Sequence, residues 1–284
     1  MIRARPLLGT RVDIRVEDPD EDAANAAIDR GFAAIADIHR LMSFHESMSD
    51  VSRLNRDAAR EAVAVDARTF EVLRRAQDFS AQSDGVFDIT TAPRLVEWAF
   101  LPRPDCAPTP APEASWRDII LEDENRVRFR KPLWIDLGGI AKGFAVDQAM
   151  TAVGARPEIQ VYINAGGDLR VAGPNIEMVR LRSAIDMDVV PVIEMEDGAL
   201  ASSSGREHLK DHRNSRVGPH VDGRSGASVG ADTFACVAAA NCLTADALTK
   251  VVLAAGSRAE PILGHFGAIA YFYDLSAGWV TLGA

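Results

Sequence analysis

The chain has 284 residues, and 31 Lys and Arg against 41 Asp and Glu give it a formal net charge of −10. Proteins that bind nucleic acid or anionic membranes usually carry a basic surface, so this balance argues against those partners. Apolar residues make up 47% and charged residues 25%, which is the composition of a globular protein with a full-sized core.

Cysteine usage and the first ten residues bear on the compartment. Cys106, Cys236 and Cys242 form no CxxC pair, which is typical of a reducing compartment. The start of the chain has too few apolar residues for a signal peptide, and no apolar run approaches the roughly 20 residues of a membrane span. We therefore expect a cytoplasmic protein without a transmembrane segment.

The first part of the chain predicts a strand and two helices. Residues 11–16 alternate apolar and polar side chains, as a half-buried strand does. Asp18 is the expected cap of the first helix, and a second helix begins after Asp66 and ends before Gly85. Five prolines within residues 102–112 then mark a surface loop or linker. The first helix presents one apolar stripe of Ile28, Phe32, Ile35, Ile38 and Met42.

The second part mixes strands and helices without strict alternation. Further helices are expected at residues 140–153, 244–255 and 257–266. Strands are expected at 119–121, 127–129, 133–135, 161–163, 189–195, 234–239, 268–273 and 279–282. This order favours an α+β fold over a doubly wound parallel sheet.

Two glycine pairs follow predicted strands, and a serine run lies further along the chain. Gly138-Gly139 stands before a helix, where free N–H groups attract phosphate, although a tight turn explains the pair equally well. For Gly166-Gly167 a hairpin turn capped by Asp168 is the simpler interpretation. The hydroxyls of residues 202–204 could bind phosphate, but a helix cap is the simpler role.

One histidine and one helix carry the most reactive side chains. An imidazole has an ordinary pKa of about 6.5, and His220, beside Asp222 and Arg224, is the best general-base candidate among six histidines; a plain loop histidine is the alternative. Thr244 is the expected cap of a helix that places Asp246 in its first turn and Lys250 one turn later. Asp246 could bind a hard cation or simply pair with Lys250.

In their order and spacing, eight segments of the chain resemble the ApbE family, the FAD:protein FMN transferases. No single segment is decisive, and the resemblance rests on the whole series between positions 8 and 250. The segments are residues 8–10, 41–44 with 49–55, 83–90 with Pro93, 136–147, 164–168, 203–205, 220–226 and 245–250.

The resemblance implies a two-lobed α+β protein of T-fold-like architecture, with mixed or antiparallel sheets and flanking helices. It implies a single domain over residues 1–284, with the proline-rich loop on its surface. Members bind FAD in a cleft with Mg²⁺ near the pyrophosphate, and they transfer FMN through a phosphoester to a Thr or Ser hydroxyl of a target protein, releasing AMP. Some members instead hydrolyse FAD to FMN and AMP.

The resemblance also assigns roles by position. His220 becomes the base for the acceptor hydroxyl and Asp246 the catalytic side-chain metal ligand, with the carbonyl of Ala141 as a second ligand. Lys250 stands where the family has a metal-binding threonine, so its ammonium could occupy the metal position itself. The expected cofactor contacts are Leu8, Asp50, Val51, Ser52, Asp88, Lys142, His220 and Val221.

The departure at Lys250 leaves two hypotheses. The first is an enzyme that transfers FMN or hydrolyses FAD. The second is a non-catalytic FAD-binding or flavin-storage protein in which Lys250 replaces the metal and leaves the pyrophosphate intact. Residues 171–192 look short and irregular for the family, which bears on whether an acceptor groove is kept.

Overall fold

The computed structural model of the chain describes residues 1–181 and 191–283. The helices within these ranges are α1 (Glu21–Met42), α2 (Asp50–Asp57), α3 (Ala67–Gln82), α4 (Ala92–Glu97), α5 (Ala141–Val153), α6 (Cys242–Ala255) and α7 (Glu260–His265). None of these described helices is long and apolar enough to cross a membrane.

The strands are short and numerous. They are β1 (Ile2–Leu7), β2 (Thr10–Glu17), β3 (Val63–Ala64), β4 (Ile119–Glu122), β5 (Arg126–Phe129), β6 (Gln160–Ala165), β7 (Asp168–Ala172), β8 (Glu177–Arg180), β9 (Val192–Met195), β10 (Gly198–Ser204), β11 (Lys210–His212), β12 (Ser215–Val217), β13 (Val221–Asp222), β14 (Ala227–Ser228), β15 (Thr233–Ala239), β16 (Ile269–Asp274) and β17 (Gly278–Leu282).

Eight of these strands form the main sheet, in the order β1-β2-β6-β7-β10-β15-β16-β17. Every neighbouring pair in it is antiparallel. The sheet contains strands from both ends of the chain, and smaller sheets pair β3-β5-β4, β8-β9, β11-β12 and β13-β14. Antiparallel sheets with flanking helices confirm the α+β prediction.

The two faces of the main sheet bury different cores. Side chains that alternate along β15 separate them: Ala235 and Val237 join the large core, whereas Phe234 and Cys236 join a smaller one. Helices α1, α5 and α6 cover the large core, and the apolar stripe predicted for α1 is buried there as expected. Val179 and Ile193 of the β8–β9 hairpin pack against the smaller core.

Two helix starts differ from the prediction. Asp20, not Asp18, caps α1, because its side chain accepts from the N–H groups of Asp22 and Ala23, while Asp18 accepts from the N–H of Asp20. Both aspartates are capping residue types, so composition alone could not decide between them.

The N-terminal cap of α6 was also predicted at the wrong residue, Thr244. Asn241 caps the helix, since its Oδ1 accepts from the Thr244 N–H at 2.9 Å. The helix therefore begins at Cys242, and Asp246 lies in its second turn rather than its first. Lys250 still follows one turn later on the same face.

Residues 133–135, expected to be a strand, have no ladder partner in the described structure. Instead the side-chain amide of Asn55 bonds both backbone groups of Ile135, accepting from its N–H at 2.7 Å and donating to its carbonyl at 3.0 Å. A buried side chain thus satisfies the backbone that a neighbouring strand would otherwise pair.

Most other element predictions are confirmed within a few residues, including the hairpin β4–β5 and the absence of helix or strand in the described segment 102–112. The prediction missed β1, an edge strand that tolerates Pro6. Of the strand expected at 189–195, residues 189 and 190 lie outside the described residues, and β9 begins at Val192. Residues 182–190 of the segment expected to be irregular also lie outside them.

Candidate functional site

A cleft of about 490 Å³ gathers residues from distant parts of the chain. It is lined by the turn after β1, by residues 86–91, by the glycine pair before α5, by the end of β10, by His220 and Val221, and by Lys250 of α6. Of the predicted site residues, the structure brings Leu8, Asp88, Lys142, His220, Val221 and Lys250 to this cleft.

Leu8 lies in the two-residue turn that joins β1 to β2. Its φ of 54° and the φ of 70° at Gly9 are both positive, as a tight hairpin turn requires. A leucine in this left-handed conformation costs about 1 kcal/mol, because its Cβ approaches the following carbonyl. The turn therefore places the apolar side chain of Leu8 at the cleft, and the strained backbone of Leu8 is the cost.

The glycines before and within α5 allow close approach of neighbouring elements. A Cβ added at Gly143 would lie 2.2 Å from the Cys242 carbonyl oxygen and 2.8 Å from the Asp246 Cβ, so only glycine lets α5 pack this closely on α6. A Cβ at Gly139 would lie 3.7 Å from the Lys250 side chain. The first glycine pair therefore lies directly beside Lys250.

Lys142 of α5 forms an ion pair with Asp168 at the start of β7. Asp168 is fully buried, and its Oδ1 has no hydrogen-bond partner within the described residues. Burial and the nearby Asp246 raise the pKa of Asp168 to about 6, although Lys142 opposes the shift. Burial would lower the pKa of Lys142, but Asp168 and Asp246 outweigh it and raise that pKa.

Asp246 and Lys250 form a second ion pair, one helical turn apart on α6. Asp246 is fully buried, its Oδ2 accepts from the Gly143 N–H at 3.0 Å, and its Oδ1 accepts from the Lys250 ammonium. Burial acts to raise the pKa of Asp246, but Lys250 and Lys142 outweigh burial and lower it. Asp246 is therefore held as a carboxylate.

The Lys250 ammonium has two further oxygen partners. It donates to Ser203 Oγ at 3.1 Å and to Thr249 Oγ1 at 3.0 Å. The two hydroxyls lie 2.9 Å apart, and Thr249 Oγ1 donates to the Asp246 carbonyl at 2.7 Å. An ammonium has three N–H donors, so these partners and the Asp246 carboxylate satisfy it completely.

His220 is the residue directly before β13, and it lines the same cleft. Burial, followed by the positive charges of Lys250 and Lys142, lowers the pKa of His220 to about 3. The imidazole is therefore neutral near pH 7 and has a ring nitrogen able to accept a proton.

Asp88 also lines the cleft, but its hydrogen-bond partner is the nearby Thr90 rather than a lysine. Its Oδ1 accepts from the Thr90 N–H and the Thr90 hydroxyl, both at 2.7 Å, and caps the short helical turn that follows. Burial raises the pKa of Asp88. Its carboxyl group is thus positioned by its own chain segment, and Asp88 is among the residues that line the cleft.

Asp50, Val51 and Ser52 lie away from the residues that the structure describes as lining the cleft. Asp50 Oδ2 accepts from the Thr69 hydroxyl at 2.7 Å and from the Asp66 N–H at 2.9 Å, and Val51 is fully buried in the core. These contacts join α2 to α3. A cofactor role for the three residues stays a prediction.

The sequence analysis missed part of the cleft. The serine run 202–204 does not cap a helix; it forms the end of β10, and Ser203 contacts Lys250. The hairpin turn at Gly166-Gly167 is confirmed, but Asn164 Oδ1, not Asp168, accepts from the Gly167 N–H at 2.9 Å. Three consecutive hydroxyl side chains were the available signal.

Comparisons with known proteins agree with this architecture. A protein called FAD:protein FMN transferase from Vibrio cholerae is 26% identical over 270 residues, which cover 88% of this chain and 80% of that protein. A protein of the same name from Haemophilus influenzae is 28% identical over 214 residues, covering 68% of this chain and 62% of that protein.

Solved structures show the same fold. The ApbE protein of Thermotoga maritima superposes with a TM-score of 0.86 at 24% identity, over 99% of this chain and 96% of that one. The flavin transferase ApbE of Vibrio cholerae superposes with a TM-score of 0.79 at 23% identity, over 99% and 96% of the two chains. Residues 8–270 match the ApbE family, and the chain belongs to it.

Proposed function

We propose that this chain transfers FMN from FAD to a Thr or Ser hydroxyl of a target protein and releases AMP. The names of its relatives support the activity. The observation that carries the proposal is the meeting of two cations, Lys142 and Lys250, with a neutral imidazole, His220, in one cleft beside a glycine pair. Phosphoryl transfer requires mainly positioning and charge neutralisation, which such a set supplies.

The pyrophosphate of FAD is proposed to bind between the glycine pair before α5 and the two lysines. Lys142 and Lys250 both line the cleft, while their carboxylate partners, Asp168 and Asp246, are fully buried. Positive charge therefore faces the ligand. Leu8, Asp88 and Val221 line other parts of the cleft and are proposed to contact the remainder of FAD.

The transfer forms one P–O bond and breaks another. The acceptor hydroxyl oxygen attacks the phosphorus of the FMN half, the bond from that phosphorus to the bridging oxygen breaks, and AMP leaves with the bridging oxygen. A ring nitrogen of His220 accepts the hydroxyl proton. Because the lysine charges contribute to the low pKa of His220, an anionic pyrophosphate beside them makes this imidazole a stronger base when FAD is bound.

The residues at the expected magnesium site are poorly suited to bind Mg²⁺. Mg²⁺ requires about six oxygen ligands in a near-octahedral arrangement. One oxygen of Asp246 accepts from the Gly143 N–H and the other from the Lys250 ammonium, so a dication at this carboxylate would meet Lys250. Ala141, the other expected ligand, is the first residue of α5.

No cluster of three or more His, Cys, Asp or Glu side chains with metal-binding geometry occurs in the part of the chain that the structure describes. The residues around Asp246 thus do not fit a divalent cation while Lys250 holds its position. The proton transfer and charge neutralisation proposed above accordingly use only side chains and backbone groups of the chain.

The proposal also covers the domain organisation and the cellular location of the protein. Residues 1–284 are proposed to act as one domain, because the main sheet joins β1 to β17. A cytoplasmic location is supported by three unpaired cysteines, of which Cys236 and Cys242 are buried.

AMP release and covalent flavin attachment test the function together. The purified protein, FAD and a lysate of cells that lack the gene are incubated, AMP is measured by chromatography, and proteins are separated under denaturing conditions and scanned for flavin fluorescence. We expect AMP and a fluorescent protein band that both require the added protein. AMP with free FMN alone would indicate hydrolysis, and tight FAD binding without either product would favour the flavin-storage hypothesis instead.

A further inference from the structure

We propose that the Lys250 ammonium takes the place of a divalent cation beside the pyrophosphate, so that this chain binds and cleaves FAD without a metal ion. The cleavage part of this inference rests on the proposed function. The binding part rests on the geometry around α6 alone.

The Lys250 ammonium is held by three oxygen partners. Its partners come from two elements: Asp246 and Thr249 from α6, and Ser203 from β10. Asp246 is itself fixed by the Gly143 N–H of α5. Because three packed elements determine its position, the charge needs little rearrangement when an anion arrives.

The same group still faces the cleft. The Lys250 side chain is 13% exposed, whereas the Asp246 side chain behind it has no exposure. The stem of Lys250 runs beside Gly139, where an added Cβ would lie 3.7 Å from both its Cγ and its Cε. An anion at the glycine pair would therefore lie next to this ammonium.

The arrangement also excludes a metal by competition for ligands. Both oxygens of Asp246 already accept hydrogen bonds, and one of the donors is the positively charged ammonium. A dication bound to that oxygen would have to displace a cation from a fully buried carboxylate, with Lys250 then lacking the partner that offsets its charge. The ammonium keeps the carboxylate because the two groups belong to one helix face.

An ammonium can perform the electrostatic part of the reaction. Its three N–H donors are engaged by Asp246, Ser203 and Thr249, so it acts on the pyrophosphate through its positive charge, which offsets the charge that develops on the departing AMP phosphate. It differs from Mg²⁺ in carrying one charge rather than two. The second cation of the cleft, Lys142, supplies a further charge from α5.

The first test compares FAD binding and AMP release with EDTA and with Mg²⁺. For the wild-type protein we expect FAD dissociation constants within about twofold of each other in the two conditions, and AMP release that EDTA leaves intact. Loss of FAD binding or of AMP release in EDTA, with recovery in Mg²⁺, would overturn the proposal.

Two substitutions at the same position sharpen the test. Lys250→Met removes the charge, and we expect weaker FAD binding and AMP release slower by about 10²-fold or more, as for the loss of one charge-stabilising donor. Lys250→Thr leaves an oxygen ligand and frees Asp246, so we expect FAD binding to become dependent on Mg²⁺. Lys131→Met is the matched control, since Lys131 pairs with Glu113 at the surface 3.3 Å away, and it should behave as wild type.

A readout without FAD separates metal binding from activity. Mn²⁺, followed by its electron paramagnetic resonance signal, should stay free with the wild-type protein and bind to Lys250→Thr. Stoichiometric Mn²⁺ binding by the wild type, with Asp246→Asn abolishing it, would contradict the proposal. If Lys250→Met does not fold, the double variant Lys250→Met with Asp246→Asn removes both charges and keeps an acceptor for the Gly143 N–H.

The outcomes distinguish this inference from the proposed function. AMP release that requires Mg²⁺ supports the function and defeats the inference. FAD binding that is insensitive to EDTA and weakened by Lys250→Met, without AMP release in any condition, defeats the function and supports the binding part of the inference.

Discussion

Two lysine–aspartate pairs in one cleft differ in how well their carboxylates are satisfied. Asp246 has a donor on each oxygen, the Gly143 N–H and the Lys250 ammonium. Asp168 has Lys142 on one oxygen, and its other oxygen has no partner within the described residues. Both carboxylates are fully buried, so burial alone does not distinguish them.

The difference decides which group keeps its charge. The pKa of Asp246 is lowered despite burial, whereas burial and the charge of Asp246 raise the pKa of Asp168 to about 6. Two close carboxylates repel each other, and the one with more hydrogen bonds stays ionised. The pair on α6 is therefore the permanent one, and the pair between α5 and β7 is sensitive to pH.

The largest expected effect is loss of the permanent carboxylate. Asp246→Ala leaves the Gly143 N–H without an acceptor and the Lys250 ammonium without its carboxylate partner, and we expect the free energy of unfolding to fall by about 3–5 kcal/mol. Denaturant titration measures it, with Asp168→Ala as the matched control. An equal fall in the free energy of unfolding in the two variants would contradict the proposed difference between the two ion pairs.

The pH dependence of stability tests the other carboxylate. Because the pKa of Asp168 is about 6 in the folded protein against an ordinary 3.8, its contribution to stability is complete below pH 3.8 and disappears as pH rises through 6. A difference of about two pKa units corresponds to about 3 kcal/mol.

We therefore expect the free energy of unfolding of the wild type, relative to Asp168→Asn, to fall by about 2 kcal/mol between pH 4 and pH 7. Chemical denaturation at several pH values measures it. A relative stability that does not change with pH would show that Asp168 keeps its charge as Asp246 does.

The same comparison explains what the sequence could predict. Asp246 and Lys250 lie four residues apart on one helix, so helical spacing alone predicted their contact, although the helix cap was placed at Thr244 instead of Asn241. Lys142 and Asp168 are 26 residues apart on α5 and β7. Their contact depends on how α5 packs against the main sheet. A local sequence pattern does not predict that packing.

Local backbone patterns were predicted well for a related reason. The buried stripe of α1 follows from periodicity, and five strands of the main sheet, β2, β6, β15, β16 and β17, were predicted, whereas β1, β7 and β10 were missed. Other failures occurred where one side chain competes with secondary structure, as Asn55 does at Ile135, or where two capping residues stand close together, as Asp18 and Asp20 do. The α+β class survives such errors because it depends on the order of elements rather than on their ends.

The pKa of His220 depends on the charges of both Lys250 and Lys142. Lys250 contributes more than Lys142 to its lowered pKa of about 3, after burial. We expect no titration of the His220 ring between pH 5 and pH 8 in the wild type. Lys250→Met should raise its pKa further toward the ordinary 6.5 than Lys142→Met does. Proton NMR of the imidazole measures both, and the opposite ranking would place Lys142 as the cation nearer to the base.

The smallest expected effect concerns the hydroxyls that support Lys250. Thr249→Val keeps the shape of the buried side chain but removes an acceptor for the ammonium and a donor to the Asp246 carbonyl. Each lost hydrogen bond is worth about 1 kcal/mol, so we expect a fall of about 1–2 kcal/mol in the free energy of unfolding. Because Asp246 and Ser203 still hold the ammonium, FAD binding in EDTA should change little, whereas a loss as large as that of Lys250→Met would mean that Thr249, rather than the carboxylate, positions the charge.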